Sequence, residues 1–481
     1  MDADTSLPLD EKIDALMQPV ASAASEFIFY SINIFGSDIP IIVLWLIAGG
    51  LFFTFYLRFI NFRGFKHAID IVRGKYADPN DPGQISQFQA LTTAVSGTVG
   101  IGNIAGVAVA ISIGGPGATF WLIVAGLLGM STKLAECTMG VMYRRYEGGV
   151  VSGGPMYYLE RGLAFRGWPR VGRVLGAFYA LSMVIGCLGI GNMFQSNQAA
   201  AILVSVTGGE ASIFSDHLWV LGLIMATAVG LVIIGGIKSI AATTSRLVPG
   251  MALLYVLTAL AVILMNWGKV PAAFVSIWVG AFAPDGITGG IIGVMIIGFR
   301  RAVFSNEAGL GSAAIAHSTA RTKEPVSEGF VGLLEPFIDT VVICTMTALV
   351  IIVTVYEPSL ARQDVAGIEL TTRAFASAFS WSPVPLSIAA VLFAFSTMIA
   401  WSYYGLKAFT YLVGESTWAD IGFKLFFLIF VVLGSSIELA SLVELSDALV
   451  FIVAIPNLIG LYLLAPVIKE ELLRYEKRYL D

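Results

Sequence analysis

Eleven separate runs of mostly apolar residues punctuate the chain. Most are close to the roughly 20 residues that a helix needs to cross a bilayer. The leading run is Pro40–Leu57. The ten that follow are Phe88–Gly114, Ala118–Met142, Val174–Val206, Leu218–Gly236, Leu247–Asn266, Gly286–Ala314, Phe330–Val355, Pro385–Ala408, Phe423–Ser436 and Leu439–Ile468. In hydrocarbon the backbone must satisfy its own polar groups, so such runs specify helices. The expected fold is an all-α integral membrane protein. A soluble fold fails on charge: 13% of residues are charged, where soluble domains carry about 25%.

Loop charge sets the orientation of such a bundle. With the N-terminus outside, Arg58, Arg63, Lys66, Arg73 and Lys75 fall inside, as do Arg144, Arg145, Arg161, Arg166, Arg170 and Arg173. The C-terminal Lys469, Arg474, Lys477 and Arg478 also fall inside. Of the 28 Lys and Arg, only Lys12, Lys269, Arg362 and Arg373 lie outside, while Lys133, Arg300 and Arg301 lie within spans. Residues 1–39 are then an outer segment, 40–87 the leading helix with a cytoplasmic linker, and 469–481 a cytoplasmic end helix. The stretch Leu9–Phe35 mixes apolar and acidic residues. It reads as an interfacial helix or as an unstructured tail. The opening residues lack the basic stretch of a signal peptide. Nothing resembles a nucleic-acid-binding stripe. Cys137, Cys187 and Cys344 are scattered in apolar runs, without the spacing of a disulfide or metal framework.

Within Phe88–Gly114 the stretch Ser96–Gly106 reads SGTVGIGNIAG. Each Gly costs a helix interior about 1 kcal/mol relative to Ala. Two readings are open: close helix packing through small residues, or a backbone that leaves helical geometry beside a cavity. In the second, N–H groups of Gly100, Ile101 and Gly102 can cradle a carboxylate, and carbonyls near Ser96 and Val99 can hold a cation. A nucleotide loop is excluded, because no strand precedes the glycines. The run Gly286–Ala314 is the second anomaly. It contains Arg300, Arg301 and Glu307, and a break near Gly298–Phe299 is expected to relieve it, with Arg301 paired to Glu307 or another acid. The breaks fall in the first and sixth of the ten later spans. That placement points to two inverted five-helix repeats, residues 88–285 and 286–468, around a midplane site.

Other polar residues fall inside spans. Ser396 and Thr397 offer hydroxyls to a hard cation, or bond their own backbone. Thr397 and Trp401 share a helix face. Asn192, Gln195, Asn197 and Gln198 crowd one span, and Gln195 is the choice for the substrate face. Lys133 and Glu136 can pair across a turn. Asp339 is a lone intramembrane acid, open to cation coupling, capping or pairing with Arg301.

At these residues the chain resembles the alanine or glycine:cation symporters. The motifs are SGTVGIGNIAGVAVAI (Ser96–Ile111), GGPGATFW (Gly114–Trp121), GGPMYYLERGL (Gly153–Leu163), GNMFQSN (Gly191–Asn197), FSNEAGLGSAAIAH (Phe304–His317) and FIDTVVICTMTALV (Phe337–Val350). The resemblance implies a leucine-transporter-like fold in a prokaryotic plasma membrane. It implies a Na+ site at Ser96, Val99, Phe393, Ser396 and Thr397. It also implies that Thr98, Gly100–Gly102, Gln195, the joint near Phe299, Thr397 and Trp401 surround a small amino acid such as alanine or glycine. Asn103 matches a second sodium ligand of some relatives. The sequence departs from the family at Arg300–Val303, where Arg-Gly-Leu is commoner. Rival readings are a proton-coupled carrier using Asp339 or Glu307, a channel and a membrane enzyme. The last lacks a nucleophile–base or metal constellation. Oligomeric state is not legible.

Overall fold

The computed structural model describes residues 18–19, 22–34, 37–147, 149–283, 290–357, 367–437 and 439–480. Much of the expected outer segment, residues 1–17 included, lies outside these. Of the stretch read as interfacial helix or tail, residues 22–28 are helical. They lead into a short antiparallel hairpin, β1 (Ser31–Ile34) and β2 (Ser37–Pro40).

The helices that build the bundle are α1 (Ile41–Tyr56), α2 (Gln87–Thr98), α3 (Ala105–Gly114), α4 (Gly117–Met142), α5 (Pro169–Val206), α6 (Leu218–Ile233), α7 (Gly236–Met265), α8 (Gly290–Asn306), α9 (Ser312–His317), α10 (Pro325–Thr354), α11 (Pro383–Val413), α12 (Thr417–Gly434) and α13 (Leu439–Tyr479). Among the described residues seven helices are long and apolar enough to cross a membrane, and α2 with its continuation adds an eighth as a pair bent by 59°. The apolar helices α1 and α6 are shorter. Large apolar side chains point outward from α6 and α7, among them Leu223, Leu231, Leu253, Leu257 and Leu264. Such a surface suits lipid and not water.

Several boundaries differ from the sequence reading. α7 starts at Gly236, whose left-handed backbone (φ 64°) turns the chain out of α6. Helices Pro155–Phe165, Val270–Phe282 and Ile368–Ala376 were not anticipated; they are short elements between spans. The C-terminal tail continues α13 without a break, with Pro456 and Pro466 in its interior. Its end is held by Arg478 to Glu324 at 2.8 Å and by Glu476 to Arg63 at 3.1 Å.

Small residues allow the helices to close in. A methyl added at Gly329 of α10 would lie 2.1 Å from Thr138 Oγ1 of α4, and one at Gly332 would lie 2.5 Å from Cys137 Sγ. Gly191 of α5 gives the same room to the Trp401 ring of α11. Two spans widen locally into π-helix, at Gly189–Met193 in α5 and Phe337–Cys344 in α10. Such bulges concentrate at functional positions; here they flank Gln195 and contain Asp339.

Candidate ion and substrate site

α2 begins with a reciprocal cap: Ser86 Oγ accepts from Gln89 N–H, and Ser86 N–H donates to Gln89 Oε1. It ends at Thr98. Val99 and Gly100 leave helical geometry, Gly100 being extended (φ −132°, ψ −161°), and a single 3-10 turn at Ile101–Asn103 leads into α3. Of the two readings of the glycine run, the broken backbone is the one found. A methyl at Gly100 would lie 2.6 Å from Thr397 Oγ1 and 3.1 Å from Gln195 Oε1. Glycine is therefore needed for close approach.

The N–H groups freed by the break are held by amide oxygens. Gly100 N–H donates to Asn103 Oδ1 at 2.8 Å, and Ile101 N–H to Gln195 Oε1 at 3.1 Å. Gln195 Nε2 in turn donates to Ile190 O, inside the π-helical segment of α5, at 2.9 Å. Gly102 faces the Phe304 ring. The Thr98 hydroxyl donates to Val95 O in its own helix at 3.3 Å.

Oxygens converge where α2 meets α11. Thr397 Oγ1 donates to Ser96 O at 3.0 Å, and Ser396 Oγ lies 3.5 Å from the same carbonyl and 2.9 Å from Phe393 O. Ser96, Ser396, Thr397 and Phe393 are thus brought together, fully buried, with Val99 at the adjoining break. Two hydroxyls and two carbonyls in one place suit a small hard cation.

The second break is not where the sequence suggested. α8 runs through Gly298 and Phe299 without interruption to Asn306. Gly298 serves packing: a methyl there would lie 2.6 Å from Trp121 Cβ and 2.7 Å from Ala118 O. Phe299 lies about two turns before the break, lines a small cavity with Leu46, Gly50 and Leu128, and has the Trp121 ring centroid at 6.5 Å. It faces α1 and α4, so Phe304 and not Phe299 meets the unwound part of the first break. The chain turns at Glu307 (φ 58°), Gly309 (φ 94°) and Gly311 (φ 74°) before α9. A left-handed non-glycine residue is strained and characteristic of functional positions.

Trp401 spans both breaks. Its indole N–H lies 3.3 Å from Gly97 O and 2.9 Å from Glu307 Oε1. Glu307 also accepts from Ser312 Oγ. The expected charge pairs are rearranged. Arg301 is paired with an acid, as expected, but that acid is Asp447 of α13 and not Glu307, and Arg300 joins the same carboxylate at 2.7 Å. Asp339 accepts from Asn103 Nδ2 at 2.6 Å, Ser305 Oγ at 2.8 Å and Thr340 Oγ1 at 2.7 Å, and not from Arg301. Lys133 pairs with Glu335 at 3.1 Å, not with Glu136. Glu136 instead accepts from Asn457 Nδ2 at 2.8 Å and Gly311 N–H at 3.0 Å.

His317, at the end of α9, sits between Glu328 at 2.6 Å and Glu335 at 2.5 Å. Nothing near it in the sequence marks it, because its carboxylate partners lie in α10. Cys137, His317 and Glu335 lie within 4.8 Å of one another, but the Lys133 ammonium already balances Glu335 and disfavours a metal there.

The sodium:alanine symporter family matches residues 22–480. A sodium/alanine symporter, AgcS, of Methanococcus maripaludis is 39% identical over 90% of this chain and 93% of its own. An amino-acid carrier protein, AlsT, of Bacillus subtilis is 34% identical over 88% of this chain and 86% of its own. The crystal structure of MhsT in complex with L-phenylalanine superposes with a TM-score of 0.58 at 14% identity, over 81% of this chain and 98% of that one. That likeness shows the leucine-transporter fold. With the bundle, its paired breaks and these relatives together, the chain belongs to the sodium:alanine symporter family, multi-pass membrane transporters that couple an amino acid to a cation, and is not an enzyme.

Proposed function

We propose that the protein imports small neutral amino acids, alanine and glycine foremost, with Na+ by alternating access. The observation that carries this is the Thr397 hydroxyl set on Ser96 O at the first break, one helical turn from the Trp401 that joins both breaks. Sodium sits among Ser96 O, Val99 O, Phe393 O, Ser396 Oγ and Thr397 Oγ1, tying the broken span to α11. The substrate carboxylate takes the N–H groups of Gly100–Gly102, at the positive start of a half-helix, and displaces Gln195 Oε1 from Ile101. Thr98 and Trp401 wall the pocket, with Phe304 in the place first given to Phe299. A Trp wall leaves room for a short side chain only.

The reading takes eleven spans, a leading helix plus two inverted repeats (88–285 and 286–468), with the N-terminus outside and the C-terminus in the cytoplasm. Proteoliposome uptake of labelled alanine under a sodium gradient tests it. Uptake that persists when choline replaces sodium would overturn sodium coupling. One observation favours a second reading. Asp339, fully buried and ringed by Asn103, Ser305 and Thr340, is placed to carry a proton. Alanine uptake that follows a pH gradient in sodium-free buffer, and is lost in Asp339→Asn, would favour it.

A further inference from the structure

A cavity of about 510 Å³ opens at the basic end of the bundle, outside the site described above. Gln84, Lys238, Tyr403, Lys407, Glu415 and Asp420 line it. The Tyr403 hydroxyl is buried and has no hydrogen-bond partner among the described residues. An orphan buried hydroxyl costs free energy that a bound acceptor would recover. One turn further along α11, Lys407 Nζ donates to Ser152 Oγ at 3.0 Å and lies 3.1 Å from Glu415 Oε1. Ser152 belongs to β4 (Val150–Ser152), which pairs with β3 (Arg145–Glu147) in the loop between α4 and α5.

We propose that this cavity is a second amino-acid site, a release subsite for the zwitterion on the cytoplasmic side. The assignment rests on the transport reading above. Two lysines, Lys238 and Lys407, and two carboxylates, Glu415 and Asp420, line one space. Glu415 is paired with Lys407, and Asp420 with Lys424 at 2.6 Å, so a ligand of one sign would strand one partner of the Lys407–Glu415 pair. A zwitterion satisfies both signs, with its carboxylate on the Tyr403 hydroxyl and Lys407, and its ammonium on Glu415. The volume falls within the range of small-molecule sites, about 300–1,000 Å³. Lys407 is ten residues beyond Thr397 on the same helix, about 15 Å along its axis, so the subsite lies one step toward the cytoplasm from the central pocket.

Thr417, exposed at the cavity rim, offers a reporter. The native Cys137, Cys187 and Cys344 are buried, so Thr417→Cys in inside-out vesicles takes an impermeant maleimide at one place. Millimolar L-alanine is expected to slow that labelling at least threefold, while propionate (no ammonium) and alaninamide (no carboxylate) leave it unchanged. Adding Lys407→Met or Tyr403→Phe removes the protection, and the uncharged Tyr403→Phe change guards against a folding defect from the lost lysine. Adding Thr397→Ala, which weakens the central site, retains it. Labelling indifferent to alanine, protection by propionate alone, or protection lost with Thr397→Ala would each overturn the subsite. Sodium-driven uptake by the unmutated chain is scored separately: its absence overturns the transport reading, and absence of protection overturns only the subsite.

Discussion

The indole N–H of Trp401 donates to Glu307 Oε1 at 2.9 Å and joins two interruptions that are about two hundred residues apart in sequence. Glu307 is a left-handed residue, buried, and anchored on its far side by Ser312. Trp401→Phe keeps the ring and removes the donor. Losing a bond to a charged group costs about 1.5–3 kcal/mol. We expect a drop of roughly tenfold or more in maximal alanine uptake, read in proteoliposomes. Trp401→Ala removes the wall as well and should admit bulkier neutral amino acids in competition assays. An unchanged substrate profile would argue against the pocket.

Thr397→Ala deletes one of the two hydroxyls that face Ser96 O. The half-saturating sodium concentration should rise about tenfold, equivalent to about 1.4 kcal/mol. Alanine uptake at saturating sodium should be affected less. Thr397→Ser, which keeps the oxygen, should restore most of the sodium affinity.

Gly100→Ala puts a methyl 2.6 Å from Thr397 Oγ1. Overpacking of this kind costs about 1–3 kcal/mol, and it falls on the surface proposed to hold both ligands. Alanine binding, measured by scintillation proximity on purified protein, should become undetectable while the protein still inserts and purifies.

Lys133→Met strips the cation from a fully buried group that also holds Glu335, His317 and Glu328. Removing one partner of a buried pair typically costs 3–5 kcal/mol. The melting temperature in detergent should fall by several degrees. The double change Lys133→Met with Glu335→Gln should recover part of the loss. A double variant no more stable than the single one would show that the pair is not the source.

Much of this architecture is legible from the chain alone, for physical reasons. Apolar runs must be helices in lipid, and the glycines around Gly100 mark a break because so many in one helix interior would destabilise it. Thr397, Gln195 and Trp401 stood out as polar or bulky groups on faces that lipid cannot satisfy. The second break was misplaced because Gly298 looks like a breaker and is in fact a packing contact against Trp121 and Ala118. The true turn uses left-handed backbone at Glu307, Gly309 and Gly311; the two glycines are a local signal for it, but the first turning residue, Glu307, carries none. Pairings such as Arg301–Asp447 and Lys133–Glu335 escaped notice because i to i+3 and i to i+4 spacing sees only neighbours on one helix. Their partners come from helices far along the chain. The intramembrane charges themselves were visible, and each has at least one polar partner, although Glu136 Oε2, Arg300 Nε and Asp447 Oδ1 have none among the described residues.

Pro456 withholds one main-chain donor in the middle of α13, and the very next side chain, Asn457, grips Gly309 O at 2.7 Å and Glu136 Oε1 at 2.8 Å. The weakest point of the longest helix thus adjoins the unwound corner after α8. Asp447, before Pro456, holds Arg300 and Arg301, and the far end of the helix is moored through Arg478 and Glu476, so one rod ties three separate parts of the chain to that corner.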